Sequence, residues 1–222
     1  MKSLSAVEEN YLKYIFQLSE INEKGIVKTN DLAYKLEHSA ASVTDMLKKL
    51  SDKKLVQYKK YYGVSLTKLG LQIAIQVLRK HRLWETFLAK NLKFTWDKIH
   101  DIAEQLEHIQ SDELVNRMDA YLGFPKFDPH GDPIPDKLGN MQVPNVICLA
   151  NAKLKRQYIL ANVNNDSTLF LKYLNKIQLQ LNDKIKIIDK EEFDETIQLM
   201  INDKRPLTIS KDAAQNIFVK SI

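Results

Sequence analysis

Four ionisable side chains of the metal-binding type lie close together between residues 98 and 109. They are His100, Glu104, Glu107 and His108, which follow one another at spacings of four, three and one. In a helix all four point from one face, because residues three and four apart are neighbours at about 3.6 residues per turn. Two imidazoles and two carboxylates converging on one side are a donor set for a divalent transition metal. The spacing therefore predicts a metal site on this helix.

A second fragment repeats this chemistry, since His81 and Glu85 stand one helical turn apart. The competing interpretation is a solvated helix face with incidental charges, because charged residues at this spacing are common on surfaces. An apolar side next to the first ligand set favours a site that borders a core. Its members are Ile99, Ile102, Ala103, Leu106 and Ile109.

Two helices are predicted to position the N-terminal part of the chain. Residues 5–20 form an amphipathic pattern, which Ser5 and Glu8 open as a capping box. A shorter helix is predicted over residues 31–36, with Thr29 or Asn30 as its cap.

A third helix and a β-hairpin complete this region. Ser39 is the expected cap of a helix that runs to Leu50, and two short strands within residues 55–66 surround Tyr62-Gly63. Helix, short helix, turn, helix and basic hairpin form the element order of a winged helix-turn-helix. In that fold residues 39–50 are the recognition helix and the hairpin is the wing.

The predicted DNA contacts combine small or polar residues near the start of the recognition helix with lysines that would face phosphates. The set is Thr29, His38, Ser39, Ala41, Ser42, Thr44, Asp45, Lys48, Lys49, Lys59 and Lys60. The alternative is a plain helical packing unit whose lysines are solvated. Tyr61 and Tyr62 place aromatic rings beside the wing lysines, which favours nucleic-acid binding.

The remainder of the chain divides into a helical and a β-rich part. Helices are predicted over residues 67–92, over 96–109 after Thr95, and over 112–122 after Ser111. From residue 144 the segments are short and β-rich, which indicates a small SH3-type barrel.

The chain is therefore expected to be mainly α with a small β domain. The predicted domains are residues 1–72, a winged helix-turn-helix for DNA binding, residues 73–143, a helical domain for dimerisation and metal binding, and residues 144–222, an SH3-like β-barrel.

Composition sets the cellular context. The net charge is +5 and the isoelectric point is near 9.0, which suits a polyanionic partner. The single cysteine, Cys148, cannot form an internal disulfide, and no signal peptide or membrane-spanning stretch is recognisable, so a cytoplasmic protein is expected. No phosphate loop, nucleophile elbow or His-Glu-x-x-His motif is present, although the same ligands could hold a hydrolytic metal.

With these motifs placed, the chain resembles the DtxR/MntR family of metal-dependent transcriptional repressors along nearly its full length. The resemblance rests on residues 9–12 (ENYL), 36–44 (LEHSAASVT), 79–83 (RKHRL), 100–108 (HDIAEQLEH), 111–113 (SDE) and 131–135 (GDPIP). It implies a winged-helix domain, a helical dimerisation and metal domain, and a C-terminal SH3-like domain of the FeoA type.

The resemblance also implies two ligand sets. The first matches Asn10, Glu104, Glu107 and His108. The second matches His81, Glu85 and His100, with Asp166 as the nearest candidate from the third domain.

Three positions bear on which metal binds. Glu104 stands where iron-sensing members carry Cys and manganese-sensing members carry Glu, so it favours a harder ion. Asn10 replaces the Met of iron sensors and the Asp of manganese sensors, and offers a neutral oxygen. Lys13 replaces a further Glu ligand of two-domain manganese sensors, which argues against their binuclear arrangement.

The expected function is a homodimeric, Mn²⁺-dependent repressor that binds double-stranded operator DNA and uses neither a membrane nor a small organic substrate. Fe²⁺ is the alternative metal, and Zn²⁺ or Co²⁺ is expected to substitute in vitro. Two other classes stay open at this point: a metal-independent winged-helix regulator with a structural His/Glu cluster, and a metalloenzyme or metal-storage protein.

Overall fold

The computed structural model describes residues 4–22, 24–164 and 167–222, which form two compact units. The first unit consists of Met1–His81, Glu104–Asp112 and Pro135–Asn140. The second consists of Arg82–Ala103, Glu113–Ile134 and Met141–Ile222. No helix among the described residues is long and apolar enough to cross a membrane.

The first unit opens with three helices, α1 (Ala6–Ile21), α2 (Thr29–Lys35) and α3 (Ala40–Asp52). The capping box predicted for α1 is present, because the Ser5 hydroxyl accepts from the Glu8 amide while the Glu8 carboxylate accepts from the Ser5 amide. Ser39 caps α3 as expected. The cap predicted for α2 is wrong: Thr29 already lies inside the helix, and Lys28 precedes it without a side-chain cap.

A hairpin follows, with β1 (Val56–Lys59) antiparallel to β2 (Gly63–Leu66). Apolar side chains from the helices and the hairpin are fully buried and form the core that fixes α3 and the wing. They include Leu12, Ile15, Leu32, Val43, Leu47, Leu50, Leu55 and Val64. Their helical and alternating spacing is the reason the winged helix-turn-helix could be predicted, and the structure confirms it.

Three further helices are α4 (Lys68–Lys90), α5 (Trp96–Leu106) and α6 (Asp112–Tyr121). Helix α5 is shorter than predicted, so Glu107 and His108 lie in the turn after it rather than on its last turn. The expectation that all four ligands share one helix face is therefore wrong. Within the second unit, Leu88 packs with Ile99 and Ala103, and this contact holds the start of α5.

The β-rich region is a six-stranded antiparallel sheet within the second unit, in the order β3-β8-β4-β5-β6-β7. Its strands are β3 (Ile147–Cys148), β4 (Gln157–Val163), β5 (Lys184–Lys190), β6 (Ile197–Ile201), β7 (Arg205–Ile209) and β8 (Ile217–Ser221). Helices α7 (Thr168–Lys176) and α8 (Lys211–Gln215) accompany it. The predicted class, mainly α with a small SH3-like β domain, is confirmed.

The sequence interpretation overlooked α7. Ser167 caps this helix, and Leu171 and Leu174 bury one side of it in the core of the sheet. The apolar spacing is helical, but the segment is only nine residues long and lies among strands.

Candidate metal centres and DNA-binding surface

The first cluster of ionisable groups, all in the first unit, is built around the carboxylate of Glu107, which is fully buried. Its Oε1 lies 2.7 Å from Lys13 Nζ and its Oε2 lies 2.5 Å from His81 Nδ1. Burial alone would raise the pKa of Glu107, but the hydrogen bond from His81 and the charge of Lys13 lower it. The carboxylate is therefore ionised at neutral pH and able to act as a ligand.

Glu104 shares the same lysine. Its Oε1 lies 3.2 Å from Lys13 Nζ and also accepts a hydrogen bond from the Tyr14 hydroxyl. A cavity of about 310 Å³ in the first unit is lined by Glu104 together with Asn10 and Tyr14. Residues of α1 and of the C-terminal end of α5 thus face one space.

The imidazole of His108 is oriented by a second carboxylate. His108 Nδ1 lies 2.6 Å from Glu9 Oε2, and Gln110 Nε2 donates to Glu9 Oε1 at 2.9 Å. A carboxylate bonded to one ring nitrogen commonly fixes a histidine so that its other nitrogen can bind a metal.

Two buried atoms in this cluster indicate that a metal fits it. Among the described residues, His108 Nε2 and Asn10 Oδ1 are both buried and make no hydrogen bond, and His108 Nε2 lies 3.6 Å from Glu107 Oε1, beyond hydrogen-bonding distance. Buried polar atoms normally have partners, so orphaned ones require an explanation, and a cation is one. Together with Glu104 and Glu107, they make an oxygen- and nitrogen-rich donor set, which we call the first centre (Asn10, Glu104, Glu107, His108).

A second cluster lies entirely in the second unit, and we call it the second centre (Glu85, His100, Asp128, His130). Glu85 is fully buried, and its two oxygens lie 3.4 Å from His100 Nδ1 and 3.7 Å from His130 Nδ1. Ligand-type atoms of Glu85, Asp128 and His130 all lie within 4.8 Å of one another, which is close enough to share an ion.

Burial and neighbouring charges shift the pKa values of two groups in the second centre, Asp128 and His130. Burial, followed by the nearby charges of Asp132 and Glu85, raises the pKa of Asp128 to about 7. For His130, burial alone would lower the pKa, but the hydrogen bond with Glu85 and the charge of Asp128 raise it. Protons and a metal ion would therefore compete for these groups near neutral pH.

The loop that carries Asp128 and His130 is held in place by its own backbone and by strand β4. Asp128 Oδ1 accepts from the amides of His130 and Asp132, at 2.8 and 3.0 Å. The His130 carbonyl accepts from the Val163 amide at 2.9 Å. Gly131 has φ +92°, a conformation that favours glycine, where the chain passes β4.

Sequence reasoning missed Asp128 and His130, because a Pro-rich loop has no periodicity that would bring them to Glu85. The only available signal was the density of ligand-type residues in Asp128-Pro-His-Gly-Asp132. His81, predicted to act beside Glu85, is buried and contacts Glu107 within the first unit. The predicted ligand Asp166 lies outside the described residues.

The predicted recognition helix presents its polar side chains to solvent. Exposed residues are Ser39, Ala41, Ser42, Asp45, Lys48 and Lys49, and Thr44 is half-buried. The Ser39 hydroxyl is engaged as the helix cap, and Thr44 Oγ1 donates to the Ala40 carbonyl at 2.8 Å. The lysine side chains are therefore more available for contact with DNA than the hydroxyl groups of Ser39 and Thr44, although Lys48 pairs with Asp45 at 3.1 Å.

The wing is as basic and aromatic as expected. Lys59 Nζ lies 4.2 Å from the ring centre of Tyr62, and Lys60 Nζ lies 4.9 Å from that of Tyr61. A cavity of about 370 Å³ in the first unit is lined by Thr29, Ala40, Thr44 and this hairpin tip. His38 is exposed, but its Nδ1 lies 3.1 Å from the Tyr11 hydroxyl, so the ring is tied to α1.

Three family profiles match the chain in succession. Residues 3–64 match the N-terminal DNA binding domain of iron dependent repressors, and residues 67–136 match their metal binding and dimerisation domain. Residues 147–221 match the FeoA domain. A DNA-binding domain and a dimerisation domain are thus both present.

Individual relatives agree with these profiles. The iron-dependent repressor IdeR of Mycobacterium leprae is 32% identical over 157 residues, which are 70% of this chain and 66% of that protein. The diphtheria toxin repressor of Corynebacterium glutamicum is 35% identical over 136 residues, 61% of this chain and 58% of the relative. The matches therefore span somewhat less than two thirds of these curated relatives.

A solved structure matches over nearly the full length. A manganese-dependent transcriptional repressor in complex with manganese is 34% identical, and the match covers 97% of this chain and 100% of that one with a TM-score of 0.86. A winged helix followed by a metal-ligating helical region defines the class of metal-dependent DNA-binding repressors. The chain belongs to the DtxR/MntR family of these repressors, with a C-terminal FeoA domain. This family is made up of transcriptional repressors rather than enzymes, which argues against the metalloenzyme alternative.

Proposed function

We propose that the chain is a Mn²⁺-responsive repressor of metal-ion homeostasis genes, with Fe²⁺ as the alternative metal. The observation that carries this proposal is the donor set of the first centre. Asn10, Glu104, Glu107 and His108 offer oxygen and nitrogen without sulfur, a set that suits hard or borderline divalent ions. Zn²⁺ or Co²⁺ would substitute in vitro.

The proposed metal switch would be formed by ligands on two segments of the chain, helix α1 and the end of helix α5. Asn10 is on α1, which packs in the core of the winged helix, whereas Glu104, Glu107 and His108 lie at and just beyond the end of α5. A bound divalent ion would supply the charge that joins these two segments. Glu9 keeps His108 oriented for this task, and metal affinity and DNA affinity are then reciprocally coupled.

The second centre is proposed as a further metal site of the same repressor. Glu85 and His100 are ligands predicted from the sequence, and Asp128 and His130, whose ligand-type atoms lie near Glu85, are proposed to complete the set. His81, one helical turn before Glu85 on α4, is retained as a candidate ligand. The ion would hold the loop that carries Asp128 against α4, and Asp166 is a further proposed ligand.

We predict that Mn²⁺ binding at the second centre weakens at acid pH. Because the pKa of Asp128 is raised to about 7, this group is increasingly protonated below pH 7, and the ion must displace that proton. With one proton released per ion, the apparent affinity should fall by roughly tenfold for each pH unit below that value. The raised pKa of His130 acts in the same direction.

This pH dependence can be measured by Mn²⁺ titration with a competing chelator between pH 5.5 and 8. The Asp128→Asn variant keeps the oxygen that accepts from the amides of His130 and Asp132, so it should bind more weakly but with a shallower dependence on pH. An unchanged slope in this variant would show that Asp128 does not carry the displaced proton.

For DNA, we propose that a homodimer presents two winged helices to a pseudo-palindromic operator, with the half-site spacing set by the dimer. The predicted domains, residues 1–72, 73–143 and 144–222, would serve DNA binding, dimerisation with metal binding, and the FeoA-like function. Lys48, Lys49, Lys59 and Lys60 would contact phosphates, and the start of α3 would read base edges. Such a role implies a cytoplasmic location.

Neutralising the wing should weaken DNA binding in a salt-dependent way. In Lys59→Ala with Lys60→Ala, the homodimer loses four lysines, two from each wing. We expect the slope of log affinity against log salt to become shallower by about 3.6, because each phosphate contact contributes roughly 0.9. The measurement is fluorescence anisotropy at several salt concentrations with Mn²⁺ held constant. Lys204→Ala with Lys220→Ala, two exposed lysines of the β domain, is the matched control and should leave the slope unchanged.

The experiment that tests the proposed function is selection of duplexes from a random pool by the full chain, with Mn²⁺ and, in parallel, with chelator. We expect a pseudo-palindromic sequence to be enriched with Mn²⁺ alone. Equal enrichment in chelator would instead support a metal-independent winged-helix regulator. Absence of enrichment under both conditions would contradict a DNA-binding role.

A further inference from the structure

Lys13 is the least expected component of the first unit. Its side chain is only 1% exposed, yet it ends in a charged ammonium. Burying a charge is costly unless it is paired and hydrogen-bonded. Nζ meets this condition with Glu107 Oε1 at 2.7 Å and Glu104 Oε1 at 3.2 Å, and it lies 4.9 Å from the ring centre of Tyr14.

The partners of Lys13 are two of the four proposed ligands of the first centre. Lys13 stands three residues after Asn10 on α1, so both side chains project from neighbouring positions of one helix. A cation supplied by the chain therefore already contacts one oxygen of each of these two carboxylates, while the other oxygen of Glu107 is hydrogen-bonded to His81. The two carboxylates carry two negative charges, and the ammonium cancels one of them.

We propose that Lys13 is an internal competitor of the metal: its ammonium neutralises Glu104 and Glu107 in the metal-free protein, and it sets the metal concentration at which the first centre fills. This inference rests on the proposed function, because it takes the first centre to be a metal site. A divalent ion gains these carboxylates only as Lys13 gives up part of its contact with them. Because Lys13 cancels one of the two carboxylate charges, the single negative charge that remains also favours one divalent ion at the first centre over two.

The test is Lys13→Met, which keeps an unbranched side chain of similar length and removes the charge. We expect Mn²⁺ affinity at the first centre to rise by roughly tenfold or more, because the competing cation and its repulsion are lost. We also expect the thermal midpoint of the chelator-treated variant to fall, since two carboxylates lose their shared partner, and to recover with Mn²⁺. Chelator competition and calorimetry measure the two effects.

Lys53→Met is the matched control. Lys53 also pairs with a carboxylate of α1, since its Nζ lies 2.5 Å from Glu8 Oε1, but Glu8 is not a proposed ligand. The control should leave Mn²⁺ affinity unchanged. Lys13→Gln provides a second uncharged variant in case Lys13→Met does not fold, and should shift Mn²⁺ affinity in the same direction.

Unchanged or weaker Mn²⁺ binding in both Lys13 variants would overturn the inference and make Lys13 a fixed structural partner. An unchanged thermal midpoint in chelator would also overturn it, because the ammonium would then not stabilise the metal-free state. The proposed function fails separately, if the unaltered chain binds no Mn²⁺ at the first centre. Even then, a Lys13→Met variant that gains Mn²⁺ binding would support the competitor role, and one that gains none would contradict it.

Discussion

Replacing Glu107 and His108 together with alanine is expected to reduce Mn²⁺-activated DNA binding by roughly hundredfold or more, a larger loss than removal of supporting groups usually causes. The variant loses the buried carboxylate and the imidazole of the first centre, so the residues after α5 can no longer be joined to α1 through Asn10. Anisotropy on the selected duplex, with and without Mn²⁺, measures the loss. Tight DNA binding that survives chelator treatment of this variant would contradict the proposed mechanism.

A loss of folding must be separated from a loss of metal binding in this experiment. Glu107→Ala deprives Lys13 and His81 of a partner, whereas His108→Ala alone leaves both of those contacts intact. The single His108 variant loses the contact with Glu9 Oε2, but Glu9 keeps its hydrogen bond from Gln110. It should therefore melt closer to the unaltered chain in chelator than the double variant does, and still respond poorly to Mn²⁺. Glu113→Ala with Arg117→Ala removes an exposed ion pair of α6 and should change neither property.

The second large effect is expected at Gly131. A Cβ built there would lie 2.0 Å from the Ala161 carbonyl oxygen, and φ is +92°. Gly131→Ala should therefore destabilise the second unit by roughly 3 kcal/mol or more, because backbone strain and a backbone clash add. It should also displace the neighbouring His130 and lower Mn²⁺ occupancy at the second centre. Urea denaturation and a count of bound Mn²⁺ measure the two outcomes.

Gly123→Ala is the matched control for this substitution. Gly123 also has a positive φ, +76°, but a Cβ there meets nothing within 4 Å. Its cost should be about 1 kcal/mol, from the left-handed conformation alone, with full Mn²⁺ occupancy. Equal costs at the two glycines would show that close packing against strand β4 does not hold the metal-binding loop.

The winged helix was predictable because its signals are local. The Ser5–Glu8 capping box, the Ser39 cap and the hydrophobic spacing of α3 each act within a few residues. The cap of α2 was predicted wrongly, because Thr29 and Asn30 are good caps by residue type but the helix begins at Thr29, two residues before the predicted start at residue 31. The end of α5 was also misjudged, since Ile109 continues the apolar period beyond the point where the helix stops.

The candidate metal centres were only partly predictable, for the opposite reason. Helical spacing and family resemblance indicated Glu85, His100, Glu104, Glu107 and His108. Asp128 and His130 reach the second centre through a loop whose path depends on β4, and no periodicity encodes that contact. The position of Lys13 depends on packing between segments more than 90 residues apart, since it meets Glu104 and Glu107 at separations of 91 and 94.

The most direct test of the central claim is fluorescence anisotropy on the duplex obtained by selection, at fixed salt, with chelated full chain titrated with Mn²⁺, anaerobic Fe²⁺ or Zn²⁺. We expect DNA binding that appears at micromolar Mn²⁺, is reversed by chelator and is strongly weakened in the His108→Ala variant. DNA binding that is equally tight with every metal and with none would contradict this expectation and reduce both centres to structural clusters.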